Sequence, residues 1–139
     1  DRQPGEFVSA VHIPAFDESR KFATYKISKR RDEDISAVCG AFNVKLESGR
    51  VADICIAFGG MAATPKRASA VEAALLNQSW SEETILAAME KFAEDYQPLT
   101  DWRATADYRL LVARNLLKRF YMETQGETVR IERFEMAGA

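Results

Sequence analysis

The sequence predicts an α+β fold: an antiparallel β-sheet of three to four strands followed by a three-helix layer packed on one face. Three observations predict it. Up to about residue 60 apolar residues recur at every second position, and beyond that near every 3.6 residues. The strand-like segments all precede the helical ones, the order of a sheet with segregated helices. The length of 139 residues, 47% apolar and 29% charged, suits one globular domain over 1–139. A chain of this size removes roughly two-thirds of its unfolded surface from water, enough for a substantial core.

Taken in order, GEFVSAVHIP (5–14) reads as a first strand, with Phe7, Ser9, Val11 and Ile13 sharing one parity and Pro14 ending it. A turn at AFDESR leads to KFATYKIS (21–28), its hairpin partner. RDEDIS (31–36) is acidic and poor in strand formers, so a loop or a short helical turn is expected. AFNVKLES (41–48) puts Phe42, Val44 and Leu46 on one face. Ser48, Gly49 and Arg50 make a tight turn into VADICIAF (51–58), which groups Ala52, Ile54, Ile56 and Phe58.

The period then changes. Thr64 and Pro65 read as an N-cap and first helical residue leading into KRASAVEAALLNQ. Ser79 and Glu82 have capping-box spacing ahead of EETILAAMEKFAEDY, a helix carrying Ile85, Met89 and Phe92 and ended by Pro98. DWRATADYRLLVARNLLKRFYMET reads as one long helix opened by Asp101 and Arg103, with Ala104, Tyr108, Leu111, Asn115, Leu116 and Phe120 along one stripe. A short strand-like run, VRIERF, follows.

Charge and composition exclude several function classes. With 19 basic and 21 acidic side chains the net charge is −2, against the broad basic face that nucleic acid requires. No apolar run approaches the roughly 20 residues that span a bilayer, and no signal peptide opens the chain. A cytoplasmic location is the expectation. Cys39 and Cys55 could pair, but the simpler reading is two reduced, buried thiols, and His12 is the sole histidine. No pair has metal-ligand spacing, and no nucleophile motif accompanies the histidine.

Three features carry candidate chemistry. The first is the run Arg20, Lys21, Lys26, Lys29, Arg30 and Arg31, followed by Asp32, Glu33 and Asp34. One reading is a solvated loop whose charges pair among themselves. Against that, Lys26 lies within a strand, where a cation at a sheet end can meet the electron-rich edge of a ligand. Asp34, ahead of Ile35, could simply cap a short helix. The second is Gly59–Gly60, either a strand-to-helix turn or a main-chain cradle for a ligand. The third, Asp101 with Arg103, Tyr108 and Arg109, reads as a helix start.

YKISKRRDEDISAV, ICIAFGGMAATPKRA and PLTDWRATADYRLLVARNLLKRF together resemble the C-terminal part of the flavoprotein portion of xanthine dehydrogenase, best the small subunit of bacterial two-subunit enzymes. The same domain ends the flavoprotein subunit of carbon monoxide dehydrogenase. The resemblance runs from GEFVSAVHIP to FYMET and implies a sheet followed by three helices. It implies a part in an oxidoreductase that oxidises purines at a molybdopterin, passes electrons through 2Fe-2S clusters to FAD and reduces NAD.

The resemblance places Lys26 against the flavin ring, where its charge would favour the negative charge developing around N1 and O2 of the reduced ring. It gives Val8 a main-chain contact with the isoalloxazine. Glu33, where relatives often carry aspartate, and Asp34 would line the nicotinamide side, with Gly60 as a main-chain contact there. Two cysteines cannot ligate a four-cysteine cluster. The glycine-rich segment that grips the FAD pyrophosphate precedes this domain in the family. The FAD pocket is therefore expected to be incomplete in this chain; the abrupt DRQPGEF start leads us to expect a piece of a longer chain, and the isolated piece is expected to be inactive. The implied partners are the preceding FAD-binding and iron–sulfur domains, the molybdenum-cofactor large subunit and NAD, with no nucleic acid and no membrane. The alternative is an interaction module whose helices dock those other parts with no direct flavin role.

Overall fold

The computed structural model describes residues 3–13, 15, 17–30 and 34–129. Four strands, β1 (Arg20–Ile27), β2 (Val38–Glu47), β3 (Arg50–Gly59) and β4 (Lys66–Arg67), form one antiparallel sheet in the order β1-β2-β3-β4. Helices α1 (Ser69–Leu75), α2 (Glu82–Met89) and α4 (Ala106–Thr124), with a single turn α3 (Phe92–Asp95), complete the α+β architecture.

The β2–β3 hairpin is the firmest part of the expectation. Ser48 and Gly49 both take positive φ, 50° and 75°, the backbone that a two-residue hairpin turn demands. The grouping of Ala52 with Ile54 fails, however. Lys45 pairs with Asp53 but Leu46 pairs with Val51, so Ala52 is the extra residue of a bulge and turns outward. Val51 takes its place in the core.

Strand parity divides the sheet into two unlike faces. Tyr25, Val38, Phe42, Val44, Ile54, Ile56 and Phe58 point to the helices and are buried. The Phe42 ring lies 5.7 Å from Tyr25, 5.6 Å from Phe58 and 5.2 Å from Phe120, so aromatic contacts tie β1, β2, β3 and α4 together. Gly40 makes room for this: a Cβ there would come 2.8 Å from the Phe58 ring. The opposite face carries Phe22, Thr24, Lys26, Cys39, Ala41, Cys55, Ala57 and Gly59. The two cysteines sit there half-buried and free, opposite Gly59 and Asn43 respectively, rather than in the core.

Four expectations are corrected. Residues 6–13 are not a strand: β1 pairs with β2 alone, and Phe7, Val8, Val11 and Ile13 stand 72–87% exposed. Alternation marks an extended amphipathic segment, but a strand also needs a partner edge, and pairing is not written in a single segment. Lys66 and Arg67 start no helix; they pair with Phe58 and Ala57, and α1 begins at Ser69. Its orphan amides are met from α3, where Asp95 accepts from Ala70 N at 2.9 Å and from Val71 N at 3.1 Å. Helix α2 is capped by Ser81, not Ser79, and it ends at Met89 before the separate turn α3. The last helix starts at Ala106 under a Thr105 cap, and its buried stripe holds Leu116 and Phe120 as expected, but Arg109, Ala113 and Leu117 rather than Ala104, Tyr108, Leu111 and Asn115. The VRIERF run lies, beyond Val129, outside the described residues.

Candidate functional site

Three of the expected site residues, Lys26, Asp34 and Gly60, lie around one end of the sheet, where β1 ends, β2 begins and β3 gives way to the Gly59–Gly60 turn. Lys26 faces Cys39 across β1 and β2, and Cys39 faces Gly59 across β2 and β3. All three lie on the face away from the helices. The Lys26 ammonium is exposed and has no carboxylate partner among the described residues. A cation standing over small neighbours leaves room for a flat, electron-rich group to lie against it.

Gly60 takes φ 82°, and a Cβ there would come 2.5 Å from the Ala37 carbonyl oxygen, so only glycine fits this close approach. Arg109 draws the surrounding segments together. Its Nη1 donates to the carbonyls of Gly60 (2.8 Å) and Ala37, and its Nη2 donates to Asp101 Oδ1 (2.7 Å). Asp101 in turn accepts from the amides of Arg103 at 2.8 Å and Ala104 at 3.0 Å. The Ala104 amide first, then the Arg103 amide and the Arg109 guanidinium, hold the Asp101 carboxyl below its ordinary range despite some desolvation. Asp101 is therefore a loop clasp rather than the cap of α4.

Asp34 Oδ2 accepts from the Arg30 amide at 3.0 Å, and an Arg30 guanidinium nitrogen stands 3.7 Å from its other oxygen. That amide chiefly holds the carboxyl below its usual range. Asp34 closes its loop and caps no helix. Beyond it, Ile35, Ser36, Gly60, Met61, Asp101 and Arg109 border a cleft of about 850 Å³. The structure thus joins the segment after Asp34 to the Gly60 turn. Val8 is 72% exposed in the extended segment, with no described hydrogen bond to Lys26 or its neighbours. Glu33 lies outside the described residues.

The clasp role of Arg109 escaped sequence reasoning, although a signal existed. An arginine spaced four, seven and eleven residues before Ala113, Leu116 and Phe120 sits on the core stripe of its helix, and a buried guanidinium there must find acceptors.

Residues 23–124 match the family described as the CO dehydrogenase flavoprotein C-terminal domain. The chain belongs to that family. It is 32% identical over 117 residues to the nicotinate hydroxylase of Emericella nidulans, covering 81% of this chain and 9% of that one. It is 28% identical over 121 residues to the xanthine dehydrogenase FAD-binding subunit of Escherichia coli O157:H7, covering 87% and 37%. The solved carbon monoxide dehydrogenase of Hydrogenophaga pseudoflava superposes with a TM-score of 0.70 and 34% identity, over 77% of this chain and 37% of that chain. The chain thus spans between 9% and 37% of these relatives. The expected family is the one found, and the flavoprotein C-terminal domain carries the expected fold.

Proposed function

We propose that this chain forms one wall of a flavin pocket in a molybdenum-containing oxidoreductase that passes electrons from purine oxidation to NAD. The observation that carries the reading is Lys26, an exposed ammonium with no carboxylate partner among the described residues, over a floor of small residues at the open end of the sheet. Such a place fits the isoalloxazine edge of FAD, which when bound supplies the hydride and electron chemistry. Lys26 presents a fixed positive charge to that edge, favouring the form that gains negative charge. Val8, on the extended segment, offers a main-chain contact. Glu33 and Asp34, with the turn held open by Gly60, border the nicotinamide side.

Arg109 keeps that border in place by binding the Ala37 and Gly60 carbonyls together. The exposed apolar residues Phe7, Val8, Val11 and Ile13 support a further role in docking, since contiguous exposed apolar surface marks an interface. The partners of this reading are the preceding FAD-binding and iron–sulfur domains and the molybdenum-cofactor large subunit, in the cytoplasm. FAD is shared across the pocket, with molybdopterin and 2Fe-2S clusters held elsewhere in the enzyme.

Lys26→Met in the complete enzyme is the test. The expected result is a flavin potential shifted to lower values and flavin reduction slowed about tenfold, the loss of one charge-assisted contact, with unchanged thermal unfolding. An unchanged potential and an unchanged rate would remove Lys26 from the flavin and favour the interaction module.

A further inference from the structure

A second cavity, of about 390 Å³, lies on the helix side of the sheet, between the end of β1 and the start of α4. Ile27 and Ala37 give it apolar walls, and Ser28, Lys29, Arg103 and Tyr108 give it polar ones. Two cations therefore border it, and no carboxylate does among the described residues. That is unusual in this chain, where the described arginines and lysines are mostly matched to carboxylates: Arg20 with Asp53, Arg67 with Glu72, Arg109 with Asp101, Arg119 with Glu123.

Trp102 holds both cations. The Arg103 guanidinium stacks 3.8 Å from the centre of its ring, and Lys29 Nζ donates to its carbonyl oxygen at 2.7 Å. Arg103 Nε is buried without a hydrogen-bond acceptor, and among the described residues its guanidinium has the indole ring as its contact. The nearest carboxylate in sequence, Asp101, is committed to two amides and Arg109. Two like charges fixed on one residue repel each other unless an anion lies between them. The amides that open α4 are not the donors here: Ala106 N is taken by Thr100 and Tyr108 N by Thr105. The half-exposed Tyr108 ring adds a flat apolar wall beside the cations.

We propose that this cavity is a phosphate-type oxyanion site, with Arg103 as the forked donor and Lys29 as the second charge. The phosphoryl group of a nucleotide and free inorganic phosphate share that chemistry. Ile27 turns into this cavity while Lys26 turns to the opposite face of the sheet, so the site does not depend on Lys26 meeting a flavin, although Arg103 also borders the cleft at the Gly60 turn.

The test is titration of this chain with ADP, inorganic phosphate and adenosine, followed by tryptophan fluorescence and confirmed by equilibrium dialysis. Trp102 is 69% exposed and Trp80 is 8% exposed, so the responsive signal is that of Trp102. ADP and phosphate are expected to bind saturably and adenosine not at all. Tighter binding of ADP than of phosphate assigns the site to a nucleotide, and equal binding assigns it to the free anion. Arg103→Gln and Lys29→Gln should each weaken binding about tenfold, while Arg50→Gln at the far hairpin leaves it unchanged; circular dichroism verifies that each variant folds. Absence of saturable binding by both anions would overturn the proposal. So would binding by folded Arg103→Gln and Lys29→Gln as tight as by the parent.

Discussion

The two faces of one sheet have opposite characters, although the same three strands make both. The inner face is aromatic and closed: Tyr25, Phe42 and Phe58 interlock with Phe120 and Phe92 at ring separations of 5.2 to 5.7 Å. The outer face is open, carrying Phe22, Thr24, Cys39, Ala41, Cys55, Ala57 and Gly59 around Lys26. Because successive side chains of a strand point to opposite sides, the residues that hold the fold and those free to meet a ligand alternate along the chain without competing. Stability and recognition are separated here by parity rather than by region.

The largest effect follows from breaking the closed face. Phe42→Ala removes the ring that three others touch and should destabilise the domain by about 3–5 kcal/mol, read as a shift of the urea midpoint at unchanged slope. A loss under about 1 kcal/mol would mean that the aromatic cluster is not the organising core.

A second prediction addresses Arg109, the charged member of the closed side. Its partner Asp101 has a carboxyl held below its unfolded value, chiefly by the Ala104 amide. A carboxyl lowered on folding contributes stability above its unfolded pKa of about 3.9, and that contribution fades as pH falls through the folded value. Asp101→Asn should therefore flatten the loss of stability below about pH 4; identical acid limbs for the two proteins in pH-dependent urea unfolding would contradict the clasp. The smallest effect belongs to the open face. Thr24→Val should change stability by less than about 0.5 kcal/mol, since its side chain points away from the core, and a larger change would show that the open face is structural as well.

Parity was legible in the sequence wherever a strand has its partner close by. Phe42, Val44, Ile54, Ile56 and Phe58 follow from alternation, and Ser48–Gly49 from the turn between their strands. The bulge at Ala52 was not legible, because one extra residue leaves the alternation intact up to the point where it slips. Nor was the unpaired state of residues 6–13, since alternation reports exposure on two sides and says nothing of a neighbouring edge. The cap of α1 is a carboxylate from Asp95, 25 residues beyond the Ala70 amide that it meets, and local capping rules look only at adjacent residues. The candidate site was half visible: Lys26 stands out as a cation inside a strand, whereas the Arg109 clasp and the convergence of Lys29 with Arg103 at Trp102 arise only from tertiary contact.

The central claim, that this chain is one wall of a shared flavin pocket, is tested most directly by titrating it with FAD and following flavin fluorescence. The same titration is run on a form extended at its N-terminus by the segment that precedes this domain in its relatives. The account predicts tight binding by the longer form and none by the shorter. Tight binding by the 139-residue chain alone would contradict it and make the domain an autonomous flavin binder.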